Sequence, residues 1–274
     1  MVRKKVTIKE MEDIVKQMKR DLFLMAYNSG TKGAHVGGSL SSMEILATLY
    51  AQVMNYDTAN PLSDQRDRFI MSKAHCAIGL YAALKMAGFL KQEDIEAAMQ
   101  KNSVLFKHPK MDIKRGIEFS GGSLGQGLSL AVGSALALRK RNNSQSQFYV
   151  LMGDGELDEG SVWEALNSVI HFNLKNITVI IDNNGLQNDG LKTDIMNIGN
   201  LQKRLEAVGF SVFEVNGHDL KQLAEVFMIH TDFPKAIIAN TNKGNGISFS
   251  HNKVDWHINY VTKELYDQAI VEIG

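Results

Sequence analysis

Apolar residues recur along this chain with two different periods, and each period predicts a different kind of element. Near the N-terminus, apolar side chains spaced by three and four residues predict an amphipathic helix. These side chains are Met11, Val15, Met18, Leu22 and Met25. Further helices are predicted at residues 42–54, 77–87, 92–101, 125–140, 162–171, 220–230 and 264–272. Short apolar runs predict buried strands at residues 68–72, 148–152, 177–181, 211–215 and 235–239.

Apolar strands separated by helices indicate an α/β fold. Strands that are apolar throughout are typical of a mostly parallel central sheet with helices on both faces. The chain contains only three prolines and no linker-like or repeated segment. We therefore expect residues 1–274 to form a single domain, with its ligand at the carboxyl ends of the strands.

Composition excludes several classes of protein. The 30 Lys and Arg residues balance the 30 Asp and Glu residues, so the chain lacks the basic excess of a nucleic-acid or membrane-surface binder. No apolar run approaches the roughly 18 residues of a membrane helix, and the N-terminus lacks the apolar core of a signal peptide. The single cysteine excludes an internal disulfide and fits a cytoplasmic location.

Two polar turns directly follow neighbouring predicted strands. The first is Gly153-Asp154-Gly155-Glu156, and the second is Asp182-Asn183-Asn184-Gly185. If the two strands are adjacent, Asp154 and Asn184 meet at one sheet edge and offer oxygen ligands for a hard cation. The glycines would allow backbone N–H groups to approach an anion such as a diphosphate. Alternatively, the acidic residues and glycines only turn the chain.

Here the sequence resembles the transketolases, and specifically the N-terminal subunit of transketolases split over two chains. The thiamine diphosphate signature is Gly-Asp-Gly followed, after a little under thirty residues, by Asn, and here Gly155 and Asn184 enclose 28 residues. The resemblance covers essentially the whole chain. Its further motifs are Gly33-Ala34-His35-Val36-Gly37-Gly38-Ser39, Ser72-Lys73-Ala74-His75, Lys107-His108-Pro109, Gly122-Ser123-Leu124-Gly125-Gln126-Gly127, Gly217-His218-Asp219, and Lys243-Gly244-Asn245-Gly246 before Trp256-His257.

The resemblance implies a cofactor site for thiamine diphosphate and Mg²⁺, with Ca²⁺ or Mn²⁺ as substitutes. Asp154, the Asn184 side chain and the Leu186 carbonyl would be the metal ligands. The residues expected to bind the cofactor are His75, Gly122, Leu124, Gly153, Asp154, Gly155, Glu156, Asn184 and His257.

The resemblance also implies catalytic roles. His35 and His108 match histidines that transfer protons and hold sugar hydroxyls, work that suits imidazole because its pKa lies near neutrality. Glu159 matches a glutamate that reaches across the interface between subunits to the cofactor-activating glutamate of the partner.

Several positions depart from the family pattern. The family usually has glycine where this chain has Lys107 and Ile258, and His251 replaces part of a common Met-Glu-Asn sequence. These changes leave the expected cofactor and metal ligands intact. They put the range of sugar substrates in question, and Ile258 weakens the case for His257.

The family places the cofactor-activating glutamate on a second domain, for which 274 residues leave no room. We therefore expect the partner to be a C-terminal transketolase subunit, in a homodimer or heterotetramer, with transfer of a two-carbon ketol unit between phosphosugars. Alternatives are half of another thiamine diphosphate enzyme, either an E1-type dehydrogenase or a deoxyxylulose-phosphate-type synthase, or a non-catalytic cofactor-binding subunit. The acidic tail of the Gly-Asp-Gly block favours transketolase.

Overall fold

Five parallel strands form the sheet seen in the computed structural model, which describes residues 6–143 and 145–274. The strands are β1 (Arg68–Met71), β2 (Phe148–Gly153), β3 (Ile177–Asn183), β4 (Ser211–Asn216) and β5 (Lys235–Asn240). Their order in the sheet is β1-β2-β3-β5-β4, and every neighbouring pair is parallel. All five match predicted strands, so the expected α/β fold with a parallel sheet is confirmed.

Helices cover both faces of this sheet. Within the described ranges they are α1 (Ile8–Asn28), α2 (Val36–Leu40), α3 (Met43–Thr48), α4 (Ala77–Met86), α5 (Gln92–Ala97), α6 (Gly127–Lys140), α7 (Gly160–His171), α8 (Lys192–Ile195), α9 (Leu201–Val208), α10 (Leu220–Met228) and α11 (Lys263–Ile273). Single turns of 3₁₀ helix lie at Gly30–Lys32, Ala74–Cys76, Ile113–Arg115, Gly155–Asp158 and Val254–Trp256. Helix α3 continues as a π-helical segment, Leu49–Val53.

Alternation along the strands creates two hydrophobic cores, one on each face. Tyr149 and Leu151 of β2 pack with the apolar sides of α1, α3, α4, α10 and α11. Phe148 and Val150 of the same strand face the opposite way, into a core formed with α6, α7 and α9. Because successive side chains of a strand point to opposite faces, an unbroken apolar run is what a sheet buried on both sides requires.

Helix α1 supports the larger core. Its methionines Met11, Met18 and Met25 are fully or almost fully buried, as the periodic pattern predicts. A capping box starts the helix, since the Thr7 hydroxyl accepts the Glu10 N–H and the Glu10 carboxylate accepts the Thr7 N–H.

The predicted helix at 92–101 was too long, because α5 ends at Ala97 and Met99 takes a positive φ of 65°. Helices α2, α8 and α9 were not predicted. They have eight residues or fewer, too few to repeat an apolar spacing clearly. Across the described residues, no helix combines the length and apolarity needed to cross a bilayer.

Candidate active site

The two polar turns meet at the carboxyl end of the sheet, as the motif spacing predicted. Strands β2 and β3 are adjacent and parallel, and their register pairs Gly153 with Asp182. The Asp154 N–H donates to the Asp182 carbonyl at 3.2 Å, which carries the pairing one residue beyond β2. The Gly-Asp-Gly turn and the Asp-Asn-Asn turn therefore lie side by side.

Asp154 is the carboxylate at the centre of this edge, and it is almost fully buried. One of its oxygens accepts the Gly155 N–H at 2.9 Å, and the other accepts the Gly185 N–H at 2.7 Å. Burial raises the pKa of Asp154, with a smaller contribution from Asp182. A buried carboxylate with a raised pKa is stabilised in its charged form when a cation binds beside it.

Asn184 and Leu186 present two further oxygens in the same turn. Asn184 Nδ2 donates to Asp182 at 3.2 Å, and Asn184 Oδ1 accepts the Leu186 N–H at 3.1 Å. The Leu186 carbonyl accepts a hydrogen bond from Lys243 Nζ at 3.2 Å. The Lys243 ammonium group therefore already contacts the Leu186 carbonyl, which is one of the predicted metal ligands.

The chemistry of these three oxygen donors fits a hard divalent cation. One carboxylate, one amide oxygen and one carbonyl suit Mg²⁺, which keeps several positions for water and phosphate oxygens. Within residues 6–143 and 145–274, no group of three His, Cys, Asp or Glu side chains is placed to bind a metal. A softer site with nitrogen or sulfur ligands therefore has no counterpart in that part of the chain.

A cavity of about 290 Å³ opens above this edge. The predicted site residues on its wall are His35, His75, His108, Gly122, Leu124, Gly153, Asp154, Gly155, Glu156, Asn184, Leu186 and His257. These residues come from sequence positions more than 200 apart, and the fold brings them together. Glu159 is the exception, because it is exposed and lies outside the cavity wall.

Four imidazoles surround one side of the cavity. His35 lies at their centre, with ring centroids 5.4 Å from His75, 5.5 Å from His108 and 5.4 Å from His257. The rings of His75 and His257 stack at 5.0 Å. The sequence resemblance named all four histidines but gave no reason for their mutual contact.

Gly37 in α2 allows the contact between the rings of His35 and His257. A Cβ at Gly37 would lie 2.7 Å from the Trp256 carbonyl oxygen, so the backbone of α2 approaches the 254–256 turn more closely than any larger residue permits. The Gly244 N–H also donates to the Gly37 carbonyl at 2.9 Å. His35 precedes α2 and His257 follows the 254–256 turn, so this close packing brings the two rings together.

Burial keeps the imidazoles uncharged. It lowers the pKa of His35 to about 3 and that of His257 to about 4, and nearby positive charges add to both shifts. Burial also lowers the pKa of His75 well below its ordinary value. His35 Nδ1 is buried and has no hydrogen-bond partner among the described residues. Buried polar atoms are rarely left unpaired, so this nitrogen is an exception with unused hydrogen-bonding capacity.

A buried ion pair lies beneath the cavity. Lys73 Nζ contacts Asp182, and the two side chains are 1% and 0% exposed. Lys73 also donates to the Gly38 carbonyl at 2.9 Å, and Ser41 and Thr241 donate to Asp182. Although burial opposes it, the Asp182 carboxylate raises the pKa of Lys73. Asp182 in turn accepts from Asn184, so the pair orients a predicted metal ligand.

Glu156 connects the Gly-Asp-Gly turn to the glycine-rich loop before α6. Its carboxylate accepts the Ser72 hydroxyl at 2.5 Å and the Gly125 N–H at 2.9 Å. It also accepts the Gly153 N–H at 3.3 Å. Although Glu156 lines the cavity, these bonds occupy its oxygens within the protein, and the bond from Gly125 ties the turn to the loop that follows Leu124.

Sequence reasoning assigned no role to five other residues of the cavity wall. They are Gly38, Lys73, Gln187, Asn188 and Lys243. Lys73 and Lys243 stood inside the quoted motifs, and the position of Lys73, two residues before the predicted diphosphate contact His75, was the available signal. Burial lowers the pKa of Lys243 to about 8, helped by the charge of Lys73. The two lysines bring positive charge to the cavity wall, although the Lys73 ammonium is paired with Asp182.

Comparison with known proteins agrees with this geometry. Residues 12–267 match the family of transketolase thiamine diphosphate-binding domains. This chain belongs to the transketolase family. An apulose-4-phosphate transketolase subunit from Phocaeicola vulgatus is 37% identical to it over 247 residues, covering 89% of this chain and 87% of that protein.

A second relative of similar length is a 6-deoxy-6-sulfo-D-fructose transketolase subunit of a Clostridium species, 36% identical over 242 residues. That match covers 87% of this chain and 88% of the relative. Human transketolase is 36% identical over 239 residues, but the match covers only 38% of its length. The chain is therefore about as long as these two subunits. It corresponds to less than half of human transketolase.

Solved structures give the same result for the fold. Transketolase from Leishmania mexicana superposes with a TM-score of 0.87 at 30% identity, covering 96% of this chain and 41% of that one. Transketolase from Campylobacter jejuni gives 0.85 at 27% identity, with 96% and 43% covered. The expected transketolase fold is confirmed, and the chain spans about two fifths of these proteins.

Proposed function

We propose that this chain is the diphosphate- and metal-binding subunit of a two-chain transketolase. Together the chains would transfer a two-carbon ketol unit from a ketose phosphate to an aldose phosphate. The observation that carries the proposal is the cavity at the ends of β2 and β3, where oxygen donors and uncharged imidazoles share one wall. Membership of the transketolase family supports the same chemistry.

Asp154, Asn184 and the Leu186 carbonyl would hold Mg²⁺, and Ca²⁺ or Mn²⁺ could replace it. The Gly155 N–H, His75 and His257 would contact the diphosphate, with Gly153 and Glu156 shaping the turn. Gly122 and Leu124 would face the aminopyrimidine at the rim. When bound, thiamine diphosphate supplies the carbon that carries the ketol unit between sugars.

His35 and His108 are the residues proposed to act on the substrate. Burial lowers the pKa of each, so both are uncharged near neutral pH and can accept a hydrogen bond from a sugar hydroxyl. His35 lines the cavity, and its Nδ1 has no hydrogen-bond partner among the described residues. His35 also contacts the rings of His75 and His257, which restricts its orientation.

The relatives support the need for a partner. The Phocaeicola vulgatus and Clostridium relatives, which match this chain over most of their length, are named as subunits, whereas the human enzyme is matched over 38% of its length. We therefore propose that a C-terminal transketolase subunit supplies the cofactor-activating glutamate. The exposed Glu159, at the start of α7, would reach toward it across the interface. The assembly would be a cytoplasmic homodimer or heterotetramer.

The experiment is a coupled assay of ketol transfer with the purified chain, first alone and then with a purified C-terminal subunit. Thiamine diphosphate and Mg²⁺ are present in both. We expect transfer only when both chains are present. An Asp154→Ala chain mixed with the same partner is the matched control for cofactor dependence.

Three results would contradict the proposal. Robust transfer by the chain alone would remove the need for a partner. Cofactor-dependent oxidative decarboxylation or deoxyxylulose-phosphate synthesis by the pair would assign a different thiamine diphosphate reaction. Saturable cofactor binding with no turnover in the assembled pair would indicate a non-catalytic subunit.

A further inference from the structure

Two turns carry the proposed metal ligands, and a contact between two side chains ties these turns together. The 3₁₀ turn Gly155–Asp158 directly follows Asp154, and at its end the Asp158 carboxylate accepts a hydrogen bond from Gln187 Nε2 at 2.6 Å. Gln187 directly follows Leu186, in the turn after β3. The proposed function gives neither Asp158 nor Gln187 a role.

The Leu186 carbonyl and the Gln187 N–H belong to the same peptide group. The described residues contain no cis peptide bond, so the C=O and N–H of this group point in opposite directions. The Gln187 N–H donates to the Gly190 carbonyl at 2.9 Å, which fixes one side of the peptide plane. The Leu186 carbonyl is turned the other way, where it accepts from Lys243 Nζ at 3.2 Å. The placement of Gln187 therefore controls the direction of the carbonyl proposed to bind the metal.

The hairpin around this peptide group lacks an apolar anchor. Leu186 and Leu191 form an isolated antiparallel bridge, and the Lys192 N–H donates to the Gly185 carbonyl at 2.9 Å. None of the described residues 185–195 is buried. Segments with few buried contacts have low local stability, so a side-chain bond to a firmly held neighbour has a large effect on where this hairpin lies.

Asp158 is such a neighbour, because the turn that carries it is anchored in the protein. Glu156 and Leu157 in the same turn are 1% and 0% exposed. The Trp163 indole N–H donates to the Leu157 carbonyl at 2.8 Å. The second carboxylate oxygen of Asp158, Oδ1, is buried and has no hydrogen-bond partner among the described residues. Burying a carboxylate oxygen costs free energy, and the bond from Gln187 to the other oxygen offsets part of that cost.

Gly155 leaves the space through which Gln187 reaches Asp158. A Cβ at Gly155 would lie 2.9 Å from both Cγ and Cδ of Gln187, so a larger residue there would displace this side chain. The Gln187 carbonyl also accepts from Lys243 Nζ at 3.0 Å. Gln187 is therefore fixed at its side chain, its N–H and its carbonyl.

We infer that Asp158 and Gln187 are positioning residues for the metal site. Their hydrogen bond holds the hairpin against the Gly-Asp-Gly turn, and so sets the Leu186 carbonyl relative to the Asp154 carboxylate. This rests on the proposed function, which assigns these two oxygens to the metal. Hydrogen-bond partners behind metal ligands strengthen metal binding because they keep the ligands in place.

The test measures binding of Mn²⁺ to the chain assembled with its purified C-terminal subunit, in an excess of thiamine diphosphate. Mn²⁺ is the probe because the EPR signal of the free ion disappears when the ion binds to protein. Asp158→Ala and Gln187→Ala each remove the hydrogen bond, whereas Asp158→Asn keeps an acceptor oxygen and removes only the charge. The matched control is Asp189→Ala, which removes an exposed carboxylate of the same hairpin that lies outside the cavity wall.

We expect Asp158→Ala and Gln187→Ala each to weaken Mn²⁺ binding roughly 10–100-fold, the usual effect of removing a hydrogen-bond partner behind a metal ligand. The double variant should be no weaker than either single variant, because both changes remove the same bond. Asp158→Asn should retain most of the affinity for Mn²⁺, and Asp189→Ala should retain all of it.

Four results would overturn the inference. They are unchanged affinity in Asp158→Ala, losses that add up in the double variant, an equal loss in Asp189→Ala, and an Asp158→Asn variant as weak as Asp158→Ala. The last would mean that the charge of Asp158 matters rather than its hydrogen bond. Thermal unfolding of every variant is measured alongside, and a lower melting temperature with unchanged Mn²⁺ binding would make the contact merely structural.

These outcomes are distinct from failure of the proposed function. Ketol transfer is measured separately, and a pair that binds Mn²⁺ without turnover still shows whether the two side chains position the site. A wild-type pair that does not bind Mn²⁺ would overturn the metal site and, with it, the role of Asp158 and Gln187.

Discussion

Replacing Lys73 with Met tests the ion pair beneath the site. The substitution keeps most of the side-chain volume but leaves the Asp182 carboxylate, which is 0% exposed, without its cation. Ser41, Thr241 and Asn184 still donate to Asp182, so part of its charge remains compensated. Breaking a buried pair by removing one partner typically costs about 3–5 kcal/mol. For a chain of this size, that lowers the melting temperature by roughly 5–9 °C, because the entropy of unfolding is about 2.1 cal/mol/K per residue.

The assay is thermal unfolding followed by circular dichroism at pH 8 and at pH 5. In the wild-type protein, the ammonium of Lys73 opposes the effect of burial and holds the pKa of Asp182 below its ordinary value. The stabilisation from Asp182 is therefore present above its unfolded-state pKa of about 3.9, and is constant between pH 8 and pH 5. In Lys73→Met, burial raises that pKa instead. Protonation then relieves the unpaired charge as the pH falls, so the deficit should shrink at pH 5.

Lys85→Met is the matched control. Lys85 pairs with Asp21 at 2.8 Å, but its side chain is 20% exposed and Asp21 also accepts from Gln17. Because water can replace the lost contact, the expected loss is below about 2 kcal/mol. A Lys73→Met deficit no larger than that of the control would refute the argument. So would a deficit that is the same at both pH values.

Two further predictions concern the cavity itself. Asp154→Ala should abolish Mg²⁺-dependent binding of thiamine diphosphate to the assembled enzyme, because Asp154 is the charged ligand proposed for the Mg²⁺ that neutralises the diphosphate. Titration calorimetry measures the affinity. An undiminished affinity for the cofactor would show that Asp154 is not a metal ligand. His35→Ala and His108→Ala should each lower kcat about 10²–10⁴-fold with little change in cofactor affinity, as expected for positioned proton-transfer groups. A variant that instead loses cofactor and keeps its turnover at saturating cofactor belongs to the cofactor site.

Local sequence determined the elements and the chemistry at their ends. The apolar runs predicted all five strands. In β2, β3 and β5 the reason is burial on both faces, which favours apolar residues at nearly every position, whereas the edge strand β4 is only partly buried. The Gly-Asp-Gly and Asp-Asn-Asn turns predicted the sheet edge that carries the site, and β2 and β3 are indeed adjacent. That prediction succeeded because a short crossover between two strands usually leaves them as neighbours.

The tertiary structure decided which distant groups meet. His35, His75, His108 and His257 come from four separate segments, and no local pattern encodes ring contacts over such separations. The roles of Lys73 and Glu156 depend on partners 109 and 84 residues away.

The difference has a physical cause. Periodicity reports whether a residue is buried, and turn chemistry reports where the chain reverses, since both depend on neighbours in sequence. The charge, hydrogen bonding and pKa of a site depend on neighbours in space. In this protein, packing of α2 against the 254–256 turn brings His35 to His257, and burial then lowers both pKa values.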